Sequence, residues 1–140
     1  MEIKVHGTLN GCVTPPPSKS QAHRLLICAA LGCEPCSIVC NAVNDDIMAT
    51  MRCLNALGAD ITYSSGVFSV TPVKVVKGGT LDCGESGSTL RFLVSVAAAL
   101  GADATFVVQA SCLSAPWVTC SMRLCSMASH LHATDLMSCR

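Results

Sequence analysis

Residues 15–17 are three consecutive prolines. Proline fixes φ, donates no backbone hydrogen bond and pushes the preceding residue out of the helical region. No helix can run through this stretch, so structure must start afresh after it. Residues 18–32 read Ser-Lys-Ser-Gln-Ala-His-Arg-Leu-Leu-Ile-Cys-Ala-Ala-Leu-Gly. Ser18 or Ser20 can cap a helix. Leu25, Leu26, Ala29 and Ala30 recur at helical spacing, and Gly32 is a suitable stop. The pattern predicts a helix over 18–31 with Lys19, Ser20 and Arg24 on its first turns. Free backbone N–H groups and the positive end of the helix dipole favour an anion there. Two cations and a hydroxyl at that place suit a phosphate or a carboxylate. The plainer alternative is a capped helix whose charges only meet water.

The rest of the chain alternates between strand and helix signals. Residues 2–6 and 11–14 read as short strands, and 35–40 as another. Asn44 or Asp45 caps a second helix, whose buried stripe is expected at Ile47, Met51, Leu54 and Leu57, with Gly58 ending it. Asp45 and Asp46 read as acidic first-turn residues matched to the dipole, in preference to a catalytic carboxylate pair. Residues 60–64 and 67–71 form a hairpin through Ser65-Gly66. A strand over 80–83 leads into a helix over 86–100, with Leu90, Leu93, Val94, Ala97 and Ala98 inward and Gly101 at its end. A further strand starts at Ala104. Such alternation predicts an α/β fold built from repeated units.

Between strand and helix lies Cys83-Gly-Glu-Ser-Gly-Ser-Thr-Leu-Arg91. Gly84 and Gly87 allow close approach to the backbone, so this turn is a second candidate anion cradle, or else a plain helix cap.

Composition excludes several classes. Formal net charge is zero, with no basic run or interleaved aromatics, which argues against nucleic acid. The N-terminus reads as a strand and not as a signal peptide, and the longest strongly apolar run, 92–100, is too short to span a bilayer. A cytoplasmic protein is expected. The eleven cysteines are odd in number and lack a secretory context, which argues against a disulfide framework. Cys33-Glu-Pro-Cys36 is a lone CxxC near Cys40 with no second pair following, so no metal is expected.

Three stretches together carry a family resemblance. Pro16-Pro-Ser-Lys-Ser-Gln-Ala-His-Arg24 resembles the N-terminal signature of the 5-enolpyruvylshikimate-3-phosphate synthases (3-phosphoshikimate 1-carboxyvinyltransferases). Asn44-Asp-Asp-Ile-Met-Ala-Thr-Met-Arg-Cys-Leu-Asn-Ala-Leu-Gly58 resembles that family's second helix, and Leu81-Asp-Cys-Gly-Glu-Ser-Gly-Ser-Thr-Leu-Arg-Phe92 its Gly-rich turn and third helix. The resemblance covers residues 1–107, roughly the first quarter of a full-length member. It implies repeated β-α-β-α-β-β units, part of an inside-out α/β barrel domain. It also implies transfer of enolpyruvyl from phosphoenolpyruvate to the 5-hydroxyl of shikimate 3-phosphate, without a cofactor, by a monomeric parent enzyme. By that resemblance Lys19 touches both substrates, Ser20 and Arg24 hold the shikimate portion, and Gly87 approaches phosphoenolpyruvate. Glu85 stands where many members have Asn, and is expected to point away or pair with a cation. Arg91 is expected to be structural or to support the site indirectly. No catalytic acid or base is assigned, since the resemblance places most of these in a second domain, and this chain alone is expected to be inactive. UDP-N-acetylglucosamine enolpyruvyl transferase shares the fold, but its matching motif has Lys-Asn where this chain has Lys19-Ser20.

From Val108 the resemblance stops. Residues 109–140 hold four Cys, six Ser and three Met with no clear period. Reading the third base of each codon with the first two of the next, Trp117-Val118 and Met127-Ala128 can each give only Gly. The junctions from Ser111 can read Leu-Pro-x-Arg-Pro-Met, the expected family continuation. This points to a one-base frameshift near codon 107 or 108, which would leave a poorly ordered, non-family tail over 108–140. Resequencing the coding DNA from codon 100 onward should show a gained or lost base and an open second frame; an intact single frame would refute the shift.

Overall fold

The computed structural model describes residues 4, 6–8, 10–12 and 15–109. Of the strands expected over 2–6 and 11–14, the described residues Lys4, His6, Gly11 and Cys12 lie in none. The rest of both stretches, and the tail from residue 110, fall outside the described residues.

Eight elements occur in the order α1 (Lys19–Ala30), β1 (Cys36–Val39), α2 (Asp45–Ala56), β2 (Asp60–Ser64), β3 (Val67–Thr71), β4 (Gly79–Gly84), α3 (Gly87–Leu100) and β5 (Ala104–Val108). Antiparallel β1, β3 and β2 form one sheet with β3 central, pairing Cys36 with Val70 and Ile61 with Val70 from either side. The β2–β3 loop is the two-residue Ser65-Gly66 turn, and both residues have positive φ (49° and 80°). That is the hairpin geometry whose twist matches the strands. Parallel β4 and β5 form a second sheet, joined through α3.

The core is aliphatic and lies between the sheets and helices. Leu26 and Ala30 of α1, Cys53 and Leu54 of α2 and Leu93 and Ala97 of α3 bury against Ile61, Phe68, Val70, Leu81 and Phe106. Helix α2 is central, packing on both neighbouring helices and on strands of both sheets.

Two expectations about the helix stripes need correction. Leu25 is 44% exposed, while Ala22 and His23 are buried beside Leu26 and Ala30. The inward face of α1 is therefore turned one residue back, and a histidine occupies a position that periodicity alone would give to a hydrophobe. In α2, Met51 is only half-buried, and Ala49, Thr50 and Cys53 share the interior with Ile47 and Leu54. A helix wedged between several elements buries more than one stripe.

The junction after α2 is tightly specified. Asn55 uses its amide to accept from Ile61 N (2.7 Å) and donate to Ile61 O (2.9 Å), pinning β2 to the helix end. Gly58 has φ of 112°, and a Cβ there would collide with the carbonyl oxygen of Val75. Gly101, which ends α3 at φ of 65°, faces open space. Gly101→Ala should therefore cost only the left-handed strain, about 1 kcal/mol. Gly58→Ala adds a backbone collision and should cost at least about twice as much. Urea denaturation midpoints of the two variants measure the difference.

Candidate functional site

Three helices begin close together, and a short polar side chain caps each. Ser18 Oγ accepts from Gln21 N (3.4 Å), Asn44 Oδ1 from Ile47 N (3.0 Å) and Ser86 Oγ from Thr89 N (3.2 Å). Each cap satisfies one of the donors that a helix start leaves unpaired. The remaining N–H groups give each end its positive potential.

The first residue of α1 reaches the first turn of α2, where Lys19 Nζ forms an ion pair with Asp46 Oδ2. Lys19 stays 46% exposed, so its ammonium meets solvent as well as the carboxylate. One turn further along α1, the Arg24 guanidinium stands 5.7 Å from the ring centroid of Phe92 on α3, a cation–π contact. Ser20 is exposed on the same end of α1, and Gly87 opens α3 half-buried. Lys19, Arg24 and Gly87 thus sit on helix starts that are physically linked.

Beneath them runs a buried polar chain that crosses all three helices. His23 Nδ1 lies 2.7 Å from Thr50 Oγ1 and Thr50 Oγ1 lies 2.7 Å from Thr89 Oγ1, while Thr89 Oγ1 donates to Ser86 Oγ at 2.7 Å. The Asp46 carbonyl oxygen lies 3.3 Å from both threonine hydroxyls. His23, Thr50 and Thr89 are fully buried and Ser86 nearly so. Burial holds the His23 imidazole below its ordinary titration range, and the positive charge of Lys19 adds to the effect. His23 is therefore neutral and enclosed. No part of its ring is exposed to a ligand at the surface.

Asp46 does more than the dipole reading assigned to it. Its carboxylate holds Lys19, and its carbonyl sits over the threonine pair. Sequence reasoning also passed over His23, Thr50 and Thr89. A signal was present: His23 stands three residues before Leu26, Thr50 four before Leu54 and Thr89 four before Leu93, so each helix carries one polar residue on its apolar face.

A cavity of about 520 Å³ opens beside this cluster, lined by Asp45, Asp46, Arg52, Asp82, Glu85 and Gln109 among others. Four carboxylates against one arginine make it a poor place for an anion. Lys19, Ser20, Arg24 and Gly87 do not line it. The candidate anion site is thus the outer face of the helix starts. Glu85 is exposed and belongs to the cavity. Arg91 is exposed on α3 and donates from Nε to the Gly87 carbonyl (3.3 Å), bracing the turn. Among the described residues no group of three or more His, Cys, Asp or Glu is placed to hold a metal ion, and no helix is long and apolar enough to cross a membrane.

The family model of EPSP synthase (3-phosphoshikimate 1-carboxyvinyltransferase) matches residues 3–112. A 3-phosphoshikimate 1-carboxyvinyltransferase of Clostridium beijerinckii is 43% identical over 106 residues, which cover 69% of this chain and 24% of the relative. That of Clostridioides difficile is 40% identical over 111 residues, covering 71% and 25%. The structure of EPSP synthase from Acinetobacter baumannii superposes with a TM-score of 0.68 at 21% identity, covering 81% of this chain and 27% of that one. The fold is therefore shared with that enzyme. The chain spans about a quarter of the length of the curated relatives it matches.

The lowered His23 pKa fixes a direction of pH dependence. Below about pH 6.5 the unfolded chain takes up a proton at this residue before the folded chain does. Stability from His23 is fully present above that pH and falls as the pH drops toward the lowered folded value. Unfolding free energy from urea titrations should decline on going from pH 7 to pH 5. In His23→Asn, which keeps a polar atom near the Nδ1 position but does not titrate, this part of the decline should vanish.

Proposed function

The chain belongs to the EPSP synthase family, matched over residues 3–112, and from that premise we propose that its clustered helix starts form one wall of a site for shikimate 3-phosphate and phosphoenolpyruvate. The reaction served is enolpyruvyl transfer. The 5-hydroxyl oxygen loses its proton and bonds to C2 of phosphoenolpyruvate as the C2=C3 π bond breaks and C3 gains a proton. The resulting tetrahedral intermediate then loses phosphate and a proton from C3, restoring the vinyl group. This belongs to chorismate and aromatic amino-acid synthesis in the cytoplasm.

One observation carries the reading: Lys19 is delivered to the meeting point of two helix N-termini and remains half-exposed there. An ammonium has three donors, and a partner such as Asp46 leaves others for a ligand. The Arg24 guanidinium carbon stands over the Phe92 ring, which accepts none of its N–H groups in a conventional hydrogen bond. Its fork of N–H donors suits a carboxylate or phosphate. Ser20 adds a hydroxyl on the same helix end. At Gly87 the absent side chain lets an anionic group approach the start of α3. No general acid or base is assigned among these groups, and His23 is fully buried beneath them. The contribution of this wall is binding and orientation, which lowers the barrier by fixing the reactants relative to each other. Binding is accordingly the property to test on this chain, with turnover depending on groups outside it.

Calorimetric titration of the purified 140-residue chain with shikimate 3-phosphate should give binding that weakens as salt is raised. Lys19→Ala and Arg24→Ala should each weaken it about tenfold or more, in line with loss of a charge-assisted contact. Lys77→Ala, remote from the helix starts, should leave it unchanged. Equal affinities for wild type and Lys19→Ala would sink the assignment.

A further inference from the structure

Resting on that reading, we propose that Thr50 is a positioning residue: its hydroxyl sets the direction of a proton chain from His23 to Ser86 and so holds the starts of α1 and α3 at one spacing. The argument is a count of protons. Each hydroxyl has a single hydrogen to give. Thr89 gives its hydrogen to Ser86 Oγ at 2.7 Å, in preference to the Asp46 carbonyl at 3.3 Å. Thr89 therefore has none for Thr50, and their 2.7 Å contact requires Thr50 to donate. Thr50 is then left with only lone pairs toward His23, so His23 Nδ1 must carry a hydrogen and donate it across 2.7 Å. The ring is a neutral Nδ1–H tautomer. Its Nε2 is a bare lone pair, and that atom is buried without a hydrogen-bond partner among the described residues. The opposite proton order would bury an unpaired N–H, the rarer kind of defect in folded proteins.

The chain reaches both candidate anion contacts. His23 lies on α1 between Lys19 and Arg24. Thr89 lies two residues beyond Gly87 and donates its backbone N–H to the Ser86 cap. Among the described residues Thr50 is the one side chain of α2 in the chain, beside the more distant Asp46 carbonyl, and it touches both neighbours. Without its hydroxyl, His23 Nδ1 loses its acceptor and Thr89 its donor, and the contacts that still join the two helices, the His23–Phe92 ring pair, Arg24 over Phe92 and the apolar core, include no buried hydrogen bond to fix their spacing.

The test uses the 15N-labelled 140-residue protein. Long-range 1H–15N NMR should show His23 with a protonated Nδ1 and a bare Nε2. In Thr50→Val, close in shape but lacking the hydroxyl, this signature should be lost and affinity for shikimate 3-phosphate should fall about fivefold. Thr50→Ser should restore both. An Nε2–H tautomer in the wild type would overturn the proposal, whether or not the valine variant folds. So would a Thr50→Val protein with unchanged tautomer and affinity. Lys19→Ala separates this from the functional reading, because it should weaken ligand binding about tenfold or more and leave the tautomer alone. If Lys19→Ala binds normally while the wild type shows Nδ1–H, the proton order stands and the substrate assignment falls.

Discussion

The 2.7 Å contact between Thr50 and Thr89 is the point on which the arrangement of helices depends. Apolar packing brings α1, α2 and α3 together, but it is not directional and tolerates small slides. A hydrogen-bonded pair buried at the crossing does not tolerate them. If either helix shifts by an ångström, two hydroxyls lose partners in a place water cannot reach. An unsatisfied buried polar group costs about 1–3 kcal/mol. That is a steep penalty beside the few tenths of a kcal/mol of loosened apolar contact. The core supplies the attraction, and the polar chain selects one register from those the core would permit.

The same logic explains what could be read from the chain in advance. Both residues of the Ser65-Gly66 turn, the cap Asn44, and the stops at Gly58 and Gly101 are local: a few neighbouring residues determine them, and they stand where the sequence placed them. The grouping of Lys19, Ser20 and Arg24 at one helix start was legible for a similar reason, since they share one segment. The inward turn of α1 was not. Periodicity ranks residues by hydrophobicity, so it puts Leu25 inside and His23 out. The structure reverses that order because Thr50, twenty-seven residues away, gives the imidazole a buried partner. The reading of Asp46 was incomplete for the same reason. Its fit to the helix dipole was local and correct, but its pairing with Lys19 joins two helices and leaves no mark on its immediate neighbours.

Charge and rigidity are divided between two layers. The Lys19–Asp46 pair lies at the surface, partly exposed on both sides. Such pairs contribute about 0–1 kcal/mol to stability. Its value is therefore not in holding the fold. The pair cancels the lysine's charge in the free protein without burying it, so the cation stays available to a ligand. An anion that reaches only Lys19 must share it with Asp46. One that also engages Arg24 and the start of α3 gains contacts that the carboxylate does not oppose. Under the proposed reading this would favour larger, multiply anionic ligands over small inorganic ions. The acidic cavity beyond Asp46 works in the same sense, because its carboxylates repel anions from the neighbouring recess. The buried layer beneath, neutral throughout, keeps the charged groups at set distances without adding a charge of its own. A histidine suits that layer only while it stays unprotonated, and burial together with the nearby ammonium keeps it so.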